Sequence, residues 1–317
     1  MVTDDATKAF LAALREAGGP PLWQQTVQQV RAAVATASGQ LAVAPADVHE
    51  VGDRKIPVAG GRIGIRVYTP RSARGPLPLL LHYHGAGFVA GDLDTHDAIA
   101  RYYCKHADVI VVSVDYRLAP EHPFPTGVED CFAALNWAVE HAEELGGDIT
   151  RVGVTGDSAG GNLSAVMCQL AKARGGPKIA FQALVYPVVD LDASADYPSR
   201  SQFGGGDYFL SSRDMEWFRS LYLTDVAQQM HDPRVSPLRA DDLTGLPQAV
   251  VVTAGCDLLR DEGKAYADRL AKAGVPVEYR CFETTIHACM SFALAIPAGQ
   301  QMLNFIASRL RLSLQRA

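Results

Sequence analysis

From residue 48 onward the chain alternates short, almost unbroken apolar runs with stretches of helical periodicity. Runs such as Val109-Ile110-Val111-Val112 and Ala249-Val250-Val251-Val252 are apolar at every position, not at every second one. A strand of that kind has no face to offer water, so both faces must be covered, as in a parallel sheet between two layers of helices. The strands read from this pattern are Val48–Ile56, Ile63–Thr69, Leu77–Tyr83, Val109–Val114, Arg151–Thr155, Ala180–Tyr186, Gln248–Ala254 and Val275–Phe282. Helical stretches lie between them at 94–107, 126–144, 159–174, 260–273 and 297–314. The alternation predicts a mostly parallel eight-stranded sheet with helices on both sides. Only the Gly60-Gly61 turn joins the first two strands, so that pair is expected to be antiparallel. A chain of 317 residues, 48% of them hydrophobic, can bury a core of this size in one large domain.

Two segments stand outside the alternation. Residues 1–45 read as a helix pair. The first helix covers 4–17, with Thr3 as candidate cap and Asp4 and Asp5 at its positive end, and stops at Gly18-Gly19-Pro20-Pro21. The second covers 22–37, with Trp23, Val27, Val30 and Val34 on one stripe, and ends before Ser38-Gly39. Residues 188–240 hold no strand, a Gly204-Gly205-Gly206 run, and an aromatic helix with Met215, Trp217, Phe218, Leu221 and Tyr222. Open α/β sheets bind ligands beyond the carboxyl ends of their strands. The expected organisation is therefore a core of 46–187 and 241–317, with a helical cap shared between 1–45 and 188–240.

Several function classes are excluded early. The formal charge is −6, from 29 basic and 35 acidic residues, which does not supply the clustered positive surface that nucleic acid needs. No apolar run approaches the ~18 residues of a membrane span. Asp4 and Asp5 stand where a secretory signal would carry Lys or Arg. The six cysteines, Cys104, Cys131, Cys168, Cys256, Cys281 and Cys289, form no Cys-x-x-Cys pair, so neither a disulfide framework nor a zinc site is readable. A reduced, cytoplasmic protein without metal or cofactor is expected.

The chemistry concentrates at Gly156-Asp157-Ser158-Ala159-Gly160-Gly161, between the strand Arg151–Thr155 and the helical stretch from Ala159. This matches the G-x-S-x-G nucleophile elbow of α/β hydrolases. Glycines two before and two after Ser158 let strand and helix pass without a Cβ clash, and the helix N-terminus favours a developing oxyanion. Such a serine needs a base, and the base an orienting carboxylate, in the order nucleophile, acid, histidine. Downstream lie only His231, in the insertion, and His287, in a loop after the last strand. For the acid, Asp257 follows the strand Gln248–Ala254 directly, and Asp261 lies one helical turn further on. His84-Gly85-Ala86-Gly87-Phe88, after Leu77–Tyr83, is a loop of small residues able to turn successive N–H groups toward one point; Ala159 offers another. His84 precedes the serine, so a loop-ordering hydrogen bond is its expected role.

These motifs, with Asp115-Tyr116-Arg117-Leu118-Ala119-Pro120-Glu121 and Asp257-Leu258-Leu259-Arg260-Asp261-Glu262-Gly263, resemble the bacterial hormone-sensitive-lipase family of carboxylesterases, of the α/β-hydrolase superfamily. The resemblance runs from about residue 45 to the C-terminus. It implies Ser158 as nucleophile, Asp257 as acid, His287 as base, and the amides of Ala86, Gly87 and Ala159 as oxyanion hole. It also implies short- to medium-chain esters as substrates and a homodimer paired through the last strand and C-terminal helix. Three positions depart from the family pattern: Ala86 takes the middle glycine after His84, Thr284 replaces a glycine, and Ala288-Cys289 replaces Gly-Phe. An amidase or peptidase on the same residues, and a small-molecule receptor of the same fold, are the rival readings.

Overall fold

The computed structural model describes residues 2–71 and 75–315. Eight strands form one sheet in the order β1-β2-β4-β3-β5-β6-β7-β8. They are β1 Glu50–Val58, β2 Gly61–Thr69, β3 Leu77–Tyr83, β4 Ile110–Asp115, β5 Gly147–Asp157, β6 Phe181–Val185, β7 Gln248–Cys256 and β8 Val277–Ile286. β2 runs antiparallel to both β1 and β4, and every pairing from β4 to β8 is parallel. The unbroken apolar runs have the predicted cause: all seven residues of β3 are buried, as are eight of nine in β7. β8, at the sheet edge, alternates instead. Helices Thr126–Glu140 and Ala159–Arg174 pack together against the sheet, and helices Asp97–Tyr103 and Pro297–Leu314 form a second packed pair. Among the described residues no helix is long and apolar enough to cross a membrane.

Helix boundaries moved where side chains overrode periodicity. Asp4, not Thr3, caps the helix Asp5–Ala17, its carboxylate accepting from the Thr7 N–H at 2.8 Å. The second helix is Val27–Leu41, preceded by a single tight turn at Leu22–Gln24. Thr26 and Gln29 form a reciprocal capping box that sets its start. It passes through Ser38-Gly39 because its last carbonyl, Leu41 O, accepts the Leu294 N–H at 3.0 Å. The helix expected from 94 begins at Asp97, because Asp92 and Thr95 close a turn on each other with two hydrogen bonds of 2.8 Å.

The N-terminal pair is anchored to the sheet and to the insertion. The Asp4 N–H donates to Thr284 O at 3.0 Å and the Thr284 hydroxyl donates to Asp4 at 3.1 Å, which covers the end of the β8 edge. Arg31 donates to Val89 O and Ala119 O and pairs with Glu121 at 2.7 Å. From the insertion, Arg213 lies over the Trp23 ring at 4.8 Å, and Arg15 donates to Asp207 O at 3.1 Å. The rings of Phe10 and Phe209 both pack on Phe292, at 4.8 and 5.1 Å. Residues 188–240 contain three short α-helices, Pro198–Phe203, Ser212–Tyr222 and Val226–Gln229, a single 3₁₀ turn at Pro237–Arg239, and no strand.

Two histidines of the β3 segment are buried in this core. Burial, reinforced by the neighbouring His96, pushes the His82 imidazole down to about 3 and the His84 imidazole down to about 4. Both bind a proton in the unfolded chain near the ordinary 6.5 but not in the fold, so they favour folding above that pH. This contribution is lost as pH falls from 6.5 toward 4, by up to about 1.4 kcal/mol per pH unit for each group. Urea unfolding measured across that window should show a shallower acid loss in His82→Gln than in the parent protein; equal slopes would refute the assignment.

Candidate active site

β3, β5, β7 and β8 run the same way, so the loops leaving their carboxyl ends lie along one edge of the sheet. The β5 exit turns into the sixteen-residue helix Ala159–Arg174 within one residue. That residue is Ser158, held at φ 54°, ψ −114°, a left-handed conformation costly for a side chain. The flanking glycines are there for contact. A Cβ on Gly160 would lie 1.9 Å from Tyr83 O, and one on Gly156 2.3 Å from the same atom. The elbow is further fixed by Ser158 N–H donating to Val185 O at 2.9 Å, and Asn162 N–H to Ser158 O at 3.0 Å.

His287 Nε2 lies 2.9 Å from Ser158 Oγ, and its Nδ1 lies 2.7 Å from Asp257 Oδ2. Asp257 and His287 are both buried, and the other Asp257 oxygen accepts the Leu259 N–H at 2.9 Å. The two alternatives lie elsewhere. Asp261 is occupied by Arg260 and by the Ser199 N–H at 2.7 and 2.8 Å. His231 is half exposed beside Asp192.

The loop after β3 is unusual in its backbone. Ala86, Gly87 and Phe88 take φ of 76°, 66° and 64°, three successive residues in the left-handed region. Among the described residues, the amides of Ala86, Gly87 and Ala159 donate to no protein acceptor. His84 has the expected loop-ordering role: Nδ1 is 3.0 Å from Gly85 O, and its ring stacks on Tyr116 at 4.3 Å. The insertion closes on this loop. The Phe218 ring occupies the place of a Gly87 side chain, 2.3 Å from an ideal Cβ, and Tyr222 stacks on Phe88 at 4.0 Å.

The departures from the family pattern have local explanations. Ala288 is left-handed at φ 59°, a conformation glycine adopts without cost. Thr284 ties β8 to Asp4. Cys289 is fully buried, and burial pushes its thiol up to about 12, which makes it an inert apolar filler.

Four neighbours escaped the sequence reading. Tyr186, after β6, places its ring 4.8 Å from His287. Asp157 and His96 lie beneath the Gly85 peptide, and Phe218 touches Gly87. Asp157 sits inside the elbow motif, where a carboxylate flanking Ser158 was the available signal. His96 and Phe218 are brought in from distant segments, and nothing local marks them.

Comparison with known proteins identifies the family. Residues 80–291 match the family described as the alpha/beta hydrolase fold. The chain is 47% identical over 272 residues to the carboxylic ester hydrolase LipN of Mycobacterium tuberculosis, covering 84% of this chain and 71% of that one. It is 46% identical over 242 residues to carboxylesterase NlhH of the same organism, covering 75% of each. Among solved structures, a thermostable esterase from Pseudomonas putida ECU1011 superposes with a TM-score of 0.93 at 37% identity, over 99% of this chain and 98% of that one. With the elbow, the sheet order and these relatives in agreement, the chain belongs to the hormone-sensitive-lipase-like carboxylesterase family of the α/β hydrolases.

Proposed function

We propose that this carboxylesterase cleaves its substrate through an acyl-enzyme on Ser158, with His287 as base, Asp257 as acid, and the Ala86, Gly87 and Ala159 amides as oxyanion hole. The observation that carries this is the unbroken chain Ser158 Oγ, His287, Asp257, at 2.9 and 2.7 Å. Ser158 Oγ attacks the ester carbonyl while its proton passes to His287 Nε2. Asp257 accepts from Nδ1 and balances the imidazolium, and the loop amides hold the tetrahedral oxyanion. Collapse expels the alcohol, which takes the proton from His287. Water, deprotonated by His287, then releases the acid and restores Ser158.

The substrate class is a small ester of short to medium acyl chain, with residues 1–45 and 188–240 forming the cap over the cleft. The contact of Phe218 with Gly87 supports that cap. Amide hydrolysis is the second reading on the same groups, and turnover of a matched aryl ester and anilide separates the two. The location that fits is the cytoplasm. The edge position of β8 supports a homodimer, for which light scattering at micromolar concentration should give twice the 34.0 kDa of one chain. A monomer mass refutes it.

Ser158→Ala and His287→Ala should each lower kcat on a small aryl ester by about 10⁴-fold or more, with the fold intact by circular dichroism. Retention of a tenth of parent turnover by either defeats the assignment. Asp257→Asn should be less severe than Ser158→Ala, and Asp261→Asn less severe again. Ala86→Gly keeps the amide and removes a left-handed side chain at φ 76°, a strain of roughly 1–2 kcal/mol. The variant should melt no lower than the parent and turn over a small ester within about tenfold of it. A thousandfold loss would mean that the methyl group, not the amide, organises the loop.

A further inference from the structure

The insertion 188–240 leaves the core after β6 and returns to it before β7, and one buried side chain touches both of its limbs. Asn162, the fourth residue of the helix Ala159–Arg174, has no exposed surface. Its Nδ2 donates to Val188 O and to Val235 O, each at 2.8 Å, although the two acceptors stand 47 positions apart in the numbering. The limbs also hold each other at this level. Leu238 N–H donates to Val189 O at 3.0 Å, and Leu191 N–H to Ser236 Oγ at 2.9 Å. Two turns along the same helix, Gln169 Nε2 donates to Pro237 O at 3.0 Å and to the Tyr266 hydroxyl at 3.2 Å. Residues seven apart share a helix face, so the two side-chain amides form one seam under the returning limb.

The chemistry of this contact is specific. A side-chain amide carries two N–H donors on one atom, and Asn162 spends both on carbonyls. The opposite orientation would set its oxygen against two oxygens, so the partners fix which way the amide faces. Among the described residues no donor meets the buried Asn162 Oδ1. A buried acceptor left bare opposes folding, so what the position gains is the pair of donors. The main chain joins in: Asn162 N–H donates to Ser158 O at 3.0 Å, and Val188 N–H reaches the same acceptor at 3.3 Å. Both limbs of the insertion are thus tied to the turn that carries Ser158.

Between the two limbs lies the helix Ser212–Tyr222, whose Phe218 covers Gly87 and whose Tyr222 stacks on Phe88. We propose that Asn162, seconded by Gln169, is a positioning residue for acyl-chain selection. It clasps both limbs to the helix Ala159–Arg174 and so fixes Phe218 over the loop after β3. The first limb has anchors of its own, Arg200 paired with Glu262 at 2.6 Å and the Ser199 hydroxyl donating to Leu258 O at 2.8 Å. The clasp therefore governs the pose of the insertion, while these anchors keep it folded. The inference rests on the proposed reading in which residues 188–240 cap the Ser158 cleft.

The test uses Asn162→Ala, which removes both donors, and Gln169→Leu, which lies two turns from Ser158 and keeps the inference testable if the first variant does not fold. In hydrogen exchange, amides of 188–240 should exchange about tenfold faster in Asn162→Ala, and those of 230–240 faster in Gln169→Leu, with β3 and β5 as protected as before. Unchanged exchange across the insertion in the folded variants overturns the clasp. On aryl acetate and hexanoate, Asn162→Ala should lower kcat/KM for the hexanoate by about tenfold, mainly through KM, and for the acetate by less than about threefold. An equal loss on both esters would act on Ser158 and not on the insertion, and overturns the positioning role. In a Phe218→Ala background the same substitution should change the hexanoate-to-acetate ratio by less than about twofold, because its effect passes through Phe218. Independent, multiplicative changes overturn that route. Failure of the Ser158 reading would show separately, as turnover retained in Ser158→Ala, and failure of the cap reading as parent selectivity in Phe218→Ala; the exchange result depends on neither.

Discussion

The site depends on one close approach, that of the β5 elbow to the end of β3. Gly156 and Gly160 both press against Tyr83 O, and neither leaves room for a methyl group. That contact lets a helix begin one residue after a strand ends, so Ser158 has no choice but a left-handed backbone with its side chain above the turn. It also joins the loop after β3 to the turn that carries Ser158. β3 continues directly into His84 and the left-handed turn at Ala86-Gly87-Phe88, so the same backbone contact joins that turn to the elbow.

Around this point the fold uses buried charge to hold irregular backbone. Residues 186–197, between β6 and the helix Pro198–Phe203, carry no regular structure, and several of their groups are satisfied by a network. The wholly buried Glu262 accepts the N–H groups of Val189 and Asp190 at 2.9 and 3.2 Å and pairs with Arg200 at 2.6 Å. Asp190 in turn takes Arg239 at 2.8 Å and the Tyr197 hydroxyl at 3.0 Å. A loop without a ladder must place its polar groups somewhere, and here they converge on the start of the helix Arg260–Lys272. The segment begins at Tyr186, whose N–H donates to Val252 O at 2.6 Å and whose ring lies 4.8 Å from His287. Asp157 does the same for the turn after β3, accepting the Gly85 N–H at 3.1 Å.

The strands were legible because their cause is local. A run buried on both faces is apolar throughout wherever it occurs, and β3 was read to its exact ends. Helix limits were less legible because competing hydrogen bonds decide them. Gly39 looked like a stop, yet the helix runs to Leu41, where a loop near residue 294 supplies the partner its carbonyl needs. Thr3 looked like a cap, but Asp4 has the better placed acceptor. Among the site residues, Ser158 was legible from its steric requirement for glycine on both sides. Asp257 and His287 were reached through chain order and family resemblance, with Asp261 and His231 left open by the residues alone.

By itself the sequence determined the sheet, the elbow and the kinds of group available at the sheet edge. These follow from periodicity and local sterics, which act over a few residues. Only the tertiary structure decided which carboxylate meets His287, because Asp257 and Asp261 differ by a single helical turn and only one emerges toward β8. It alone brought His96 against Asp157 and Phe218 onto Gly87, pairs separated by 61 and 131 positions in the numbering. Contacts of that kind depend on how layers pack across the whole core, and no short stretch of sequence carries that information.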